Sequence, residues 1–153
     1  MALKHVLLAI TCYIFVGLCL GYPPFMNYIP NSRRVPDPCF TRTRTGQTRY
    51  VQALGHYGDF SRRNPFGQDF WRTRGNWTIL CRLDSDKDGL YNGYELGDRY
   101  CVWKPRDPRT WRYLRVPYGH PGVAETFNNR TKRYEVEPQL LMDVCSRNFP
   151  FIS

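Results

Sequence analysis

Beyond residue 21 the chain has no long aliphatic run and no internal repeat, and it carries only two histidines there, His56 and His120. The first absence excludes a membrane span in that part of the chain, and the second excludes a solenoid. Two histidines so far apart in sequence do not supply the ligand set of a zinc or copper centre. Their settings, Gly55-His56 and Gly119-His120-Pro121-Gly122, suit hydrogen-bonded turn positions instead. Acidic residues are scarce, 13 against 22 Lys and Arg. Outside residues 84–95 the carboxylates include Asp59, Asp69 and Asp98, none of which stands out as half of an acid/base dyad. Asp69 and Asp98 are expected to cap helices or pair with arginines. No nucleophile elbow or phosphate-cradling glycine loop is present, so the sequence argues against an enzyme.

The one long apolar run, Val6 to Gly21, follows Lys4 and reads as a secretory signal peptide covering residues 1–21, cleaved after Gly21. It is short for a membrane anchor, and Tyr22-Pro23-Pro24 cannot continue its helix. Cys12 and Cys19 leave with it, so Cys39, Cys81, Cys101 and Cys145 remain. In an oxidising compartment these imply two disulfides, with three pairings open. Two glycosylation sequons, Asn76-Trp77-Thr78 and Asn129-Arg130-Thr131, fit that compartment, although Asn76 also suits a helix N-cap. About 130 residues then remain, enough for one domain. Rich in aromatics, Pro and Gly, they imply a small, irregular, loop-rich α+β domain stapled by disulfides, with short helices. The whole chain carries a net charge of +9. Outside the cell this points to acidic macromolecules rather than nucleic acid, or simply to solubility.

Along the chain, the proline-rich segment 22–38 reads as an extended arm tied down at Cys39. The alternation in 40–57 resembles a polar hairpin turning near Gly46-Gln47. Asn64 and Pro65 mark a helix start, and Gly75 a stop. A second helix from Asn76 places Trp77, Leu80 and Cys81 on one buried face. A strand is expected around Trp111-Arg112-Tyr113-Leu114-Arg115-Val116, and a short helix or strand over Pro138–Cys145. Aromatic and cationic residues alternate from Trp103 to Tyr113. Trp103, Arg106, Trp111, Arg112 and Tyr113 are therefore candidate partner-binding residues; a packed strand with a solvated Arg face is the competing reading.

Residues 84–95, Asp-Ser-Asp-Lys-Asp-Gly-Leu-Tyr-Asn-Gly-Tyr-Glu, match a calcium loop of the EF-hand type. Oxygen donors are wanted at positions 1, 3 and 5, glycine at 6, a carbonyl at 7, a ligand at 9 and a bidentate Glu at 12. Asp84, Asp86, Asp88, Gly89, Leu90, Asn92 and Glu95 fill those places. Three alternating aspartates repel one another in a compact turn unless a cation joins them. Gly97 leaves barely one exit turn, and Cys81 and Cys101 bracket the loop. If those two pair, a ring of about 20 residues contributes roughly 3 kcal/mol and forbids most of a sensor's opening. The expected Ca2+ is therefore structural, with a dissociation constant on the order of 10⁻⁴–10⁻³ M.

An ordered set of motifs resembles the temptin-like family of secreted molluscan proteins. It runs through Tyr22-Pro23, Val35-Pro36-Asp37-Pro38-Cys39, Gly55-His56, Arg63-Asn64-Pro65-Phe66-Gly67-Gln68-Asp69-Phe70, Leu80-Cys81, Glu95-Leu96-Gly97-Asp98, Cys101-Val102-Trp103 and His120-Pro121-Gly122. The resemblance divides the chain into a leader, a temptin-like domain over 22–127 and a C-terminal extension, 128–153, tied by Cys145. It implies the pairs Cys81–Cys101 and Cys39–Cys145. It also implies an extracellular, non-enzymatic protein that binds other proteins, with an attractin-like pheromone protein as partner in a water-borne complex. The alternative is an extracellular or shell matrix protein whose arginines bind acidic polyanions in biomineralisation. Neither reading involves a nucleic acid, nor a membrane once the leader is removed.

Overall fold

The computed structural model describes residues 23–40, 48–57 and 62–145. The expected leader and the turn at Gly46-Gln47 lie outside the described residues. The N-terminal arm is not simply extended. It opens with a four-residue helix, α1 (Pro23–Met26), and continues through turns, because proline fits a helix's first turn as well as an extended chain. Ile29, Pro30 and Val35 are buried, so the arm forms a wall of the core. Residues 35–37 then pair with 49–51: Val51 N–H donates to Val35 O at 3.0 Å and Asp37 N–H to Arg49 O at 2.9 Å, with Pro36 opposite Tyr50. The described end of the polar alternation, residues 49–51, therefore pairs with the arm, and residues 41–47 lie outside the described residues; a period of two fixes a strand's faces but not its partner.

Helix α2 (Pro65–Arg72) begins as the sequence indicates: the Asn64 side chain accepts from Gly67 N–H, and Pro65 occupies the first helical position. Asn64 is fully buried and its amide donates to Leu54 O at 2.8 Å, so the cap also ties the helix to the preceding loop. After Gly75, Asn76 caps α3 (Trp77–Leu80), whose Trp77 and Leu80 are buried with the following Cys81. These join Val35, Leu54, Phe66, Leu96 and Trp103 in one core, where Trp77 and Trp103 meet edge to face at 6.2 Å. Asp98 neither caps a helix nor pairs with an arginine. It is buried, accepting Trp77 Nε1–H at 2.8 Å and the backbone N–H groups of Val102 and Trp103, because the two core tryptophans bring donors that no water can reach. Asp69, by contrast, pairs with Arg72 at 3.0 Å.

The exit turn α4 (Asn92–Glu95) is one turn long. The disulfides are Cys81–Cys101 and Cys39–Cys145, the first closing a 20-residue separation around the acidic loop. The strand expected at 111–116 is instead a 3₁₀ helix, Pro108–Tyr113. Asp107 caps it by accepting Arg109 N–H and Pro108 starts it, a local signal that outweighs the aromatic alternation. Strands β1 (Glu125–Asn128) and β2 (Arg133–Val136) form an antiparallel hairpin that no sequence pattern announced. Pro138–Cys145 is helical, α5, and buries Val144. No helix among the described residues is long and apolar enough to cross a membrane.

Candidate functional site

The acidic loop is stitched by its own backbone before any ligand is considered. Asp84 accepts Lys87 N–H on Oδ1 at 2.8 Å and Gly89 N–H on Oδ2 at 3.0 Å, and Asp88 Oδ1 accepts Leu90 N–H at 2.8 Å. Gly89 has φ +93°, which an L side chain rarely adopts, so glycine at the sixth position is a steric requirement. The result brings a carboxylate oxygen from each of Asp84, Asp86 and Asp88 within 4.8 Å of one another.

Two further carboxylates face this cluster. Glu95 is fully buried on α4, and neither of its oxygens has a hydrogen-bond partner; the same holds for both oxygens of Asp86. Burial, reinforced by Asp86 and Asp88, pushes the Glu95 carboxyl up to about 10. Burial first and Asp88 second raise Asp86 to about 7. Glu125, at the start of β1, was not singled out by the sequence, since it lies 30 residues beyond the loop. Its N–H donates to Asp88 Oδ2 at 3.1 Å, and its Oε1 accepts His120 N–H at 3.2 Å. Burial, with smaller contributions from Asp88 and Asp86, raises it to about 7. Glu125 and Glu95 border the same space beside Gly119: a Cβ there would lie 2.5 Å from Glu125 Oε2 and 3.4 Å from Glu95 Oε1. That segment is docked on the exit turn by Tyr118 N–H donating to Glu95 O at 2.7 Å and by stacking of Tyr94 on Tyr118.

Five carboxylates thus converge with no lysine or arginine paired to any of them among the described residues. Buried carboxylates without partners, here Asp86 and Glu95, are costly as anions, and a divalent cation is a group that could satisfy them. Asp84, Asp86, Asp88, Glu95 and Glu125 fit it by donor type, and hard oxygen donors suit Ca2+. Asn92 does not turn its side chain to this space. Its amide donates to Leu80 O at 2.8 Å and to Ser85 Oγ at 2.9 Å, and its Oδ1 accepts Ser85 N–H, because the buried start of the loop needs those bonds made. Leu90 N–H donates to Asp88 Oδ1, a bond that does not involve the Leu90 carbonyl expected as a ligand. The other raised or lowered group in the interior, His120, is held neutral by burial at about 4 and accepts Gly122 N–H on Nδ1.

On another face, a groove of about 690 Å³ runs between the N-terminal arm and the 3₁₀ helix. Tyr28, Trp111 and Val116 line it, exposed, with Arg33, Arg34, Arg106 and Arg115. Among the described residues, no carboxylate lines it. Arg106 stands over the Tyr28 ring and donates to its hydroxyl at 3.2 Å. Of the expected partner-binding residues, Arg106 and Trp111 meet at this groove. Trp103 is mostly buried in the core and offers only an edge to it, while Arg112 and Tyr113 bond each other on the outer side of the 3₁₀ helix. The sequon residues Asn76 and Asn129 are both exposed.

A small α+β domain, short-helixed and loop-rich, with two nested disulfides around an acidic loop, is the class that these features define. The family model described as "Temptin C-terminal" matches residues 19–123. Over 117 residues the chain is 41% identical to Temptin of Aplysia californica, covering 73% of this chain and 85% of that protein. The chain belongs to the temptin family. No solved structure matches it. Glu125 and the hairpin lie just past the residues that the family model covers.

Proposed function

We propose that this is a secreted, pheromone-related protein that works by binding another extracellular protein, an attractin-like pheromone protein in particular, with structural Ca2+ holding its acidic loop. The observation that carries the partner-binding reading is the groove in which exposed Trp111 and Tyr28 lie among four arginines, with no carboxylate among its described lining residues. Exposed aromatics flanked by arginine are what protein interfaces concentrate at their energetic centres. Catalysis is not part of this reading. The strongly perturbed carboxylates are gathered in the cation site, and His120 is buried with its Nδ1 already bonded.

Calcium is supported by the orphaned oxygens of Asp86 and Glu95, which lack any protein donor. Bound there, the ion supplies charge balance. The chain's own contribution is to hold three loop aspartates by backbone N–H bonds and to bring Glu95 and Glu125 to them on docked segments. Calorimetric titration of Ca2+ into the oxidised protein, with circular dichroism before and after, tests this part. Binding in the millimolar range with a raised melting temperature and little spectral change is expected. A large rearrangement would sink the structural reading.

The matrix reading draws on the same arginines. Titrating the protein with an attractin-type pheromone protein and, separately, with a sulfated polysaccharide discriminates the two. Tight binding of the protein and weak, salt-labile binding of the polymer supports the pheromone reading; the reverse order, with expression in mantle rather than secretory gland, supports the matrix one.

A further inference from the structure

The hairpin tip carries a second, unrelated piece of chemistry. Residues 130–133 read Arg-Thr-Lys-Arg, the single place in the chain where a Lys-Arg pair is preceded two residues earlier by arginine. Residues 129–133 are all exposed; 129–132 form the turn that joins β1 to β2, with Lys132 at φ +57°, and Arg133 opens β2 opposite Asn128. The base of the hairpin is anchored: Glu125 N–H is bonded to Asp88, and its carboxylate to His120 N–H. The tip is held only locally, by Lys132 N–H to Asn128 O, by Asn128 Oδ1 accepting Arg130 and Thr131 N–H, and by Glu135 accepting from Asn128 and Thr131. A two-stranded hairpin of four pairs is marginal by itself, so its tip opens to an extended form at low cost.

We propose that this tip is a processing site for a subtilisin-type serine endoprotease of paired-basic specificity, which hydrolyses the Arg133–Tyr134 peptide bond. Carboxylate-lined subsites in such an enzyme recognise Arg133, Lys132 and Arg130 by charge-assisted hydrogen bonds. One water is consumed: its oxygen ends on the Arg133 carbonyl carbon as a carboxylate, and Tyr134 leaves as a free amine. The inference rests on the secretory reading, since that is the compartment in which such proteases act on a disulfide-bonded chain. Cleavage does not release the segment from Tyr134 onward, because Cys145 is bonded to Cys39. It frees β2 from β1, and with it the wall that Tyr134, Val136 and Leu141 contribute to a groove shared with Tyr94, Tyr118 and Phe127. The overlapping sequon at Asn129 places a glycan, where one is attached, immediately before the recognised residues.

The test uses the secreted, oxidised protein and its Asn129→Gln variant, digested with a purified paired-basic endoprotease, alongside a synthetic peptide of residues 128–136 that reports whether the enzyme is active. Expected is a single cut in at least the Asn129→Gln protein, with Tyr134 as the new N-terminus. The mass should rise by one water without reduction, and the fragment should be released only after reduction. Arg133→Gln in that background should abolish the cut, and Arg130→Gln should slow it about tenfold or more. If the peptide is cut while both proteins stay intact, or if cleavage falls at Arg33-Arg34 or Arg62-Arg63 instead, the proposal is overturned. Failure of cells to secrete the chain at all would count against the secretory reading, whereas digestion of purified protein reads the site separately.

Discussion

The acidic loop and the arginine groove are opposite answers to the problem of gathering like charge. In the loop, carboxylates from 84–95 and from Glu125 are turned inward, two of them with no partner atom, in a chain whose net charge is +9. In the groove, four guanidinium groups and two aromatic rings face solvent. Water keeps exposed arginines solvated, so the groove can wait for a partner; the buried carboxylates have no such recourse and call for a cation within the fold. On the proposed reading, one cluster serves structure and the other recognition.

Removing the cation breaks the comparison most severely. Asp86 and Glu95 move from ordinary values of 3.8 and 4.5 to about 7 and about 10, and Glu125 from 4.5 to about 7. All three are raised, so the fold holds protons that the unfolded chain gives up. Their contribution to the cation-free protein is present below about pH 4 and is lost as pH climbs through 7 toward 10. With calcium bound the dependence reverses, since protons compete with the ion for the same oxygens. Thermal melts at pH 5 and pH 8, in chelator and in 10-millimolar-scale calcium, should show stabilisation of about 5 °C or more by calcium at pH 8 and much less at pH 5. Equal calcium effects at the two pH values would count against a carboxylate site.

Next in size is Asn92→Ala, which leaves Leu80 O and Ser85 without their buried partners. A loss of about 2–3 kcal/mol is expected in urea denaturation in chelator, whereas a ligand-only role would lower calcium affinity and spare that cation-free stability. Glu125→Gln sharpens the same contrast: calcium affinity should fall about 10–100-fold by calorimetry, with the chelated protein at least as stable as before. Smallest in stability, within about 0.5 kcal/mol, is Trp111→Ala at the exposed groove, which should nonetheless weaken partner binding about tenfold or more. If that variant binds unchanged, recognition lies elsewhere on the surface.

Local signals were read correctly where a single residue's chemistry decides the backbone. Asn64-Pro65 starts a helix, Asn76 caps the next, and the side chains of Asp84 and Asp88 close the turn of the acidic loop on backbone N–H groups. Readings failed where the outcome hung on a partner distant in the chain. The residues near 50 pair with the arm, a partner that the alternation did not indicate. Asp98 serves Trp77 and Trp103 rather than an arginine. The strand reading near Trp111 failed for a local reason instead, a stronger one than the aromatic alternation: the Asp107-Pro108 start coils the run into a 3₁₀ helix.

By itself the sequence determined the acidic loop's register, the even cysteine count after the expected leader, the family and the helix starts, because each is written in residues close together or in fixed order. Only the tertiary structure decided that Glu125 faces the loop's aspartates, that Asn92 turns away from them, and that Arg33, Arg34, Arg106 and Arg115 border one groove. Those outcomes depend on burial and on which segments meet in space, 37 residues apart for Glu125 and Asp88, and neither can be read from spacing along a chain.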